Sequence, residues 1–193
     1  MDRNLAVFFP GIGYNMDRPL LHFSRRIAED LGYEIKPLPY AGFPRGVRGD
    51  RMKMKACFHI ALTQAREMLS EVDWNAYDEI VFIGKSVGTI VSAALGAESP
   101  VNERIRQVLY TPLADTFSFP LHDAIAFTGS DDPWTGGPDS RIHLICRERG
   151  IPCTVIPGGN HSLETSSWQK DLENLRTILA EAEAFLQEQK RIP

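Results

Sequence analysis

The apolar run Ile80-Val81-Phe82-Ile83 passes straight into Gly84-Lys85-Ser86-Val87-Gly88, after which Val87, Ile90, Val91, Ala94 and Leu95 recur at helical spacing. A strand that becomes a helix within five residues brings the two backbones into close contact. Residues two before and two after the apex must then lack a Cβ, a condition that Gly84 and Gly88 meet. Ser86 at the apex is expected in strained backbone geometry, with its side chain pushed clear of the sheet. A sharp strand-to-helix turn of this kind belongs in a sheet whose faces are covered by helices.

The rest of the chain supplies such a sheet. Leu5-Ala6-Val7-Phe8-Phe9 is a continuous apolar run stopped by Pro10-Gly11, the pattern of a strand buried on both faces. A helix is predicted from Asp17, with Pro19 in its first turn, Leu20, Phe23, Ile27 and Leu31 on one face and Gly32 closing it. Glu34 to Leu38 reads as a second strand, and residues 39–50 as a loop rich in Pro, Gly and Arg. From Arg51 to Val72, Met54, Phe58, Ala61, Ala65, Met68 and Val72 mark a long amphipathic helix. Gln107–Tyr110, Ala124–Thr128 and Cys153–Ile156 read as further strands, with a helix over 139–149 between the last two. A final helix is predicted over 166–189, with Trp168, Leu172, Leu175, Leu179, Ala182 and Phe185 facing inward. Roughly six strands alternating with helices predict a three-layer α/β/α sandwich around a mostly parallel sheet, with all 193 residues in a single domain.

Composition narrows the partners. The 43% hydrophobic and 24% charged content is that of an ordinary globular protein. A net charge of −4 gives no reason to expect a nucleic-acid partner, and no apolar run is long enough to span a membrane. The start, Met1-Asp2-Arg3-Asn4, enters a short run broken by Pro10, unlike a signal peptide. Cys57, Cys146 and Cys153 are odd in number and widely spaced, which predicts a reducing, cytoplasmic setting with no disulfide framework and no metal site.

In open sheets of this type, ligands sit beyond the carboxyl ends of the strands. The loop after the last strand is Pro157-Gly158-Gly159-Asn160-His161-Ser162, and that after the fifth is Gly129-Ser130-Asp131-Asp132-Pro133-Trp134. The loop after the first, Pro10-Gly11-Ile12-Gly13-Tyr14-Asn15, is suited to leaving backbone N–H groups unpaired. A serine, a histidine, an aspartate and free amides at one sheet edge are the parts that acyl transfer requires.

The order Ser86, then Asp131 or Asp132, then His161, on this strand-turn-helix background, resembles the α/β-hydrolase fold along essentially the whole chain. The resemblance implies a strand order of 2-1-3-4-5-6, starting at the family's third strand. Pro112 to Asp123 is too short for a helical lid. The chain is thus similar to compact, lidless serine hydrolases and to dienelactone-hydrolase-like proteins, although the latter use a cysteine where Ser86 stands. The implied roles are Ser86 as nucleophile, His161 as its base, and an aspartate that orients and stabilises the imidazole. Asp132, three residues after Gly129, has the family's spacing, with Asp131 the alternative. The oxyanion would be met by the N–H of Val87 and one in the first loop, Ile12 being preferred over Gly11 and Gly13. The implied reaction is hydrolysis of a small carboxylic ester or thioester, without a cofactor. Amide or peptide hydrolysis uses the same parts, and a binding protein that kept only the fold is the alternative from another class.

Other signals are weaker. Tyr14, Phe43 and Trp134 are the preferred substrate-lining residues, with Phe117, Phe119 and Trp168 also near the strand-end loops. Arg45, Arg48, Arg51, Lys53 and Lys55 cluster where they could attract an anionic substrate, although such runs are commonly a solvated face. Lys85, beside the nucleophile, could add positive potential there but is expected to point away from it. His22, His59, His122 and His143 lack a glycine-rich strand-end setting, and Cys57 reads as packing. A phosphate-binding loop would need glycine where Glu79 stands, and a dinucleotide fingerprint would need glycine at Met16.

Overall fold

A computed structural model describes residues 3–47, 50–134 and 141–188. Six strands, β1 (Asn4–Phe9), β2 (Tyr33–Pro37), β3 (Glu79–Lys85), β4 (Ile105–Tyr110), β5 (Asp123–Gly129) and β6 (Cys153–Ile156), form one sheet in the order β2-β1-β3-β4-β5-β6. Every neighbouring pair is parallel. Five α-helices accompany them: α1 (Pro19–Asp30), α2 (Arg51–Leu69), α3 (Val87–Glu98), α4 (Arg141–Glu148) and α5 (Trp168–Gln187). The predicted strand order and three-layer architecture are those of the structure. Between β4 and β5 the chain makes a single 3-10 turn, Ala114–Ser118.

Side chains alternate across a strand, so each run supplies both layers. Ala6, Phe8, Val81, Ile83, Val108 and Tyr110 face α1 and α5. Leu5, Val7, Phe9, Ile80 and Phe82 face α2 and α3, and Leu109, Ala124 and Ala126 meet α4 on that same side.

The structure corrects the phase of α1 and the extent of the covered face of α5. In α1 the covered face is Leu20, Leu21, Ser24 and Ala28, whereas Phe23 is 40% exposed. In α5 only the second half is covered, by Ile178, Ala182, Phe185 and Leu186, and the predicted inward residues Trp168 and Leu172 are exposed. Helix α2 ends at Leu69 rather than Val72, and Cys57 lies on its buried face. All three cysteines are free thiols. Arg48, the first residues of the predicted 139–149 helix and the last of the predicted 166–189 helix lie outside the described residues. No described helix is long and apolar enough to cross a membrane.

Buried polar residues tie the layers together. Arg106 on β4 is 4% exposed; its Nε donates to Asp123 Oδ2 (2.8 Å), its guanidinium lies 4.2 Å from the Phe185 ring centroid, and it also donates to the Phe185 carbonyl. Helix α5 is thereby anchored to the amino-terminal ends of β4 and β5. Two cavities of about 540 and 280 Å³, the first lined by Arg3, Glu34 and Tyr77 and the second by Asn4, Tyr33 and Leu186, also lie at that end. The opposite edge carries the glycine-rich loops.

Candidate active site

Ser86 sits between β3 and α3 with φ 55° and ψ −122°, in the left-handed half of backbone space that a serine rarely enters. The turn is held on both sides. Ser86 N–H donates to the Tyr110 carbonyl (3.0 Å), and the Ser86 carbonyl accepts from Thr89 N–H (2.9 Å) and Thr89 Oγ1 (2.7 Å). Gly88 allows the turn to close. A Cβ there would lie 2.0 Å from the Phe9 carbonyl oxygen, so only glycine lets α3 start against the end of β1.

His161 arrives on the loop after β6. Asn160 shapes that loop, its Oδ1 accepting from Ser162 N–H (2.7 Å) and Glu164 N–H (3.2 Å). Asp132 arrives on the loop after β5, and the two loops are laced together: Asp131 N–H donates to the Gly159 carbonyl (3.0 Å), and Gly158 N–H to Ser130 Oγ (2.7 Å). Gly129 makes this approach possible, because a Cβ there would stand 2.0 Å from the Gly159 carbonyl oxygen.

These loops bring Ser86, His161 and Asp132 into one hydrogen-bonded line. His161 Nδ1–H donates to Asp132 Oδ2 (2.8 Å), since an ionised carboxylate can only accept. Nε2 of the neutral ring is then the acceptor for Ser86 Oγ–H, also at 2.8 Å. The Asp132 side chain is fully buried, and its Oδ1 accepts from Trp134 N–H (2.8 Å). Asp131, by contrast, is exposed and takes the Ser130 hydroxyl at 2.9 Å. Burial holds the His161 pKa below its usual value despite the hydrogen bond it donates to Asp132, and the positive charge of Lys85 acts in the same direction. The imidazole is therefore biased toward the neutral, proton-accepting form.

Gly11 and Tyr14 close a tight turn, with Gly11 N–H donating to the Tyr14 carbonyl (3.1 Å) and Tyr14 N–H to the Gly11 carbonyl (3.3 Å). A Cβ on Gly11 would lie 3.3 Å from that of Ser86, so this turn packs directly on the serine elbow. Among the described residues, Ile12 N–H and Gly13 N–H have no acceptor. Val87 N–H, in the first turn of α3, has none within its helix.

The predicted lining residues separate. Trp134 stays at the site, its ring centroid 6.2 Å from that of His161 and its surface 38% exposed. Tyr14 is buried in the core on the α1 side, where its hydroxyl accepts from Leu20 N–H (3.1 Å). Phe43 lies on the α2 side with its ring 6.1 Å from Tyr40. Phe117 is buried against α4, whereas Phe119 joins Ile12, Met54, Phe58, Val87, Ile90 and Leu113 in an apolar cluster beside the elbow. Of the basic segment, Lys53 is turned back onto Asp50 (3.7 Å) and the Gly46 carbonyl (3.4 Å), and Arg45, Arg51 and Lys55 are exposed.

Lys85 departs most from expectation. Instead of pointing away from the site, it is 1% exposed and runs beneath it, donating to Thr111 Oγ1 (2.6 Å) and to the His161 carbonyl (2.8 Å). Sequence reasoning turned Lys85 away from the site and gave Thr111 no place in it; the available signal was a lysine at the carboxyl end of a strand that is otherwise wholly apolar from Ile80 to Ile83.

Sheet order, serine elbow and strand-end loops together define the α/β-hydrolase fold, and the chain has that fold. Its likeness to solved structures agrees. An alpha-beta serine hydrolase homologue from Coxiella burnetii aligns at 15% identity and TM-score 0.63, over 93% of this chain and 84% of that one. A lidless α/β serine hydrolase from Xanthomonas campestris aligns at 14% identity and TM-score 0.61, over 98% and 85%. Mouse alpha/beta hydrolase domain-containing protein 10 aligns at 12% identity and TM-score 0.63, over 94% and 88%. No protein-family model matches the sequence, and no curated protein matches it either.

Proposed function

We propose that this protein is a serine hydrolase that cleaves a small carboxylic ester or thioester through an acyl-serine intermediate, without a metal or cofactor. The observation that carries this reading is the pair of 2.8 Å hydrogen bonds from Ser86 Oγ to His161 Nε2 and from His161 Nδ1 to buried Asp132, set on an elbow with φ 55°.

Ser86 Oγ attacks the acyl carbon as its proton passes to His161 Nε2, and the carbonyl π electrons move onto oxygen. The Asp132 carboxylate, desolvated and held by Trp134 N–H, stabilises the imidazolium so formed. The oxyanion is met by the N–H groups of Val87 and Ile12. Gly11 is the weaker candidate for that role, because its N–H is engaged by the Tyr14 carbonyl. Collapse of the intermediate expels the alcohol or thiol, which takes the proton from His161. Water then repeats the sequence with His161 as base, releasing the acid and restoring Ser86. The apolar cluster of Ile12, Met54, Leu113 and Phe119 beside the elbow suits the acyl side, and Trp134 next to His161 suits the leaving group.

The test is labelling by a fluorophosphonate together with turnover of a panel of p-nitrophenyl esters, thioesters and anilides. Ser86→Ala should abolish labelling and lower turnover by about 10³-fold or more. Labelling that survives this substitution removes Ser86 from the role, and a wild-type protein that ignores both probes returns the fold to a binding function.

A further inference from the structure

We propose that Lys85 is a positioning residue of the Ser86–His161–Asp132 site: it holds the His161 segment by its backbone carbonyl, and its charge keeps the imidazole ready to accept the Ser86 proton. This inference rests on the hydrolase reading above, and its basis is geometric.

The lysine side chain is 1% exposed, yet its ammonium makes two hydrogen bonds and an aromatic ring contact. Thr111 Oγ1 lies at 2.6 Å, the His161 carbonyl oxygen at 2.8 Å, and the Tyr14 ring centroid at 4.9 Å. Thr111 itself adopts φ 44°, a conformation that threonine rarely takes, while its N–H donates to the Phe127 carbonyl (2.7 Å). From the last position of β3, Lys85 thus joins Thr111 after β4, His161 after β6 and Tyr14 after β1. It precedes the nucleophile by one residue, so the strand that presents Ser86 also grips the loop that presents the base.

A buried ammonium that served only to fill space would be poorly chosen, because desolvation is costly where a methionine would pack as well. Its charge has a target. The charged and titratable groups that face it are Asp132 and Glu164, whose charges stabilise the ammonium, together with His161 and Tyr14. Toward His161 the ammonium opposes a second positive charge, offsetting the pull of Asp132 toward imidazolium. Without Lys85, the pull of Asp132 toward imidazolium would go unopposed by this charge, and the ring would hold its proton to higher pH. A protonated Nε2 cannot accept from Ser86. At alkaline pH the ring is neutral in any case, and a neutral lysine amine still donates to Thr111 and the His161 carbonyl. The effect of removing the charge is therefore concentrated on the acid side.

The experiment measures His161 ionisation by proton–carbon NMR of the imidazole, and in parallel the pH dependence of fluorophosphonate labelling. It compares wild type, Lys85→Met, Lys85→Gln and Thr111→Val. Both neutral Lys85 variants should move the His161 midpoint to higher pH, and the labelling rate at about pH 6 relative to that at about pH 8 should fall several-fold. Thr111→Val removes a hydrogen bond but leaves the charge, so its midpoint should stay at the wild-type value. The glutamine variant retains a polar donor, which guards against a methionine variant that fails to fold. A His161 midpoint that is the same in wild type and both neutral variants overturns the proposal. Wild-type protein that resists labelling sinks the hydrolase reading alone, because the NMR midpoint needs no turnover.

Discussion

At the scale of single residues, Lys85 and His161 are both shifted by desolvation, and each makes pH a probe. Burial lowers the Lys85 pKa from 10.5 to about 7, partly offset by the charges of Asp132 and Glu164. The unfolded chain therefore keeps a proton on this amine up to about pH 10.5, whereas the folded chain gives it up near 7. The resulting stability is fully present above 10.5 and is lost as pH falls through about 7. The unfolding free energy of wild type relative to Lys85→Met should rise with pH across that window, as read from urea midpoints. Tyrosines such as Tyr14, raised to about 12, add slopes of their own at the upper end, but these are common to both proteins and cancel in the difference. Parallel curves would mean that the ammonium is not desolvated. His161 is also depressed, so the acid limb of Ser86 labelling should lie below the ordinary histidine value of 6.5.

At the scale of elements, the strand-end loops converge because glycine permits backbone contact at two points. Gly88→Ala would drive a methyl into the Phe9 carbonyl of a central strand, which cannot retreat without breaking its pairing with β2 and β3. The expected cost is about 3 kcal/mol in urea unfolding, at the upper end for overpacking. Gly129→Ala meets the Gly159 carbonyl in the loop that carries His161, outside the strand pairing, so its main effect should be on the His161–Asp132 approach. Labelling of Ser86 should fall about 10²-fold, with a smaller loss of stability than in Gly88→Ala. Much of this was legible in the sequence. The six strands are short apolar runs ended by turn residues, and Ser86, His161 and the Asp131-Asp132 pair stand out because each lies in a glycine-bearing loop after a strand. The helix faces were read with the right period, but that of α1 was out of phase and that of α5 ran too far toward its start. Phe23, Trp168 and Leu172 repeat at helical spacing, but spacing cannot say where a neighbouring layer stops. The preference for Asp132 over Asp131 came from the family's spacing after Gly129, because no local pattern says which carboxylate turns inward under Trp134 N–H. Lys85 was misplaced because a charged residue is ordinarily assigned to solvent. Its partners lie 26 and 76 residues away, beyond any local pattern.

At the scale of the whole molecule, the two ends of the sheet divide the work. The carboxyl end gathers the loops, the strained serine and the buried lysine, all of which place polar groups where packing alone would not. The amino end holds the layers together, and Arg106 is its clearest device. This guanidinium, with a side chain 5% exposed, satisfies Asp123 and the Phe185 carbonyl and covers the Phe185 ring. Arg106→Ala would leave the Asp123 carboxylate and a helix-end carbonyl without their donor. With Asp123 itself partly exposed, the lost hydrogen bonds should lower stability by about 2 kcal/mol. The loss should be concentrated in α5, whose second half is its only well-buried part, so its amide hydrogens should exchange faster than those of β3. The labelling rate of Ser86 per folded molecule should stay at the wild-type value, because nothing in the Ser86–His161–Asp132 line reaches that end of the sheet. A variant that lost stability and labelling together, under conditions where it remains folded, would show that the two ends are coupled through β4, which carries Arg106 near its start and leads into Thr111. The first outcome places the requirement for catalytic geometry wholly in the strand-end loops, so that α5 can loosen without disturbing the serine.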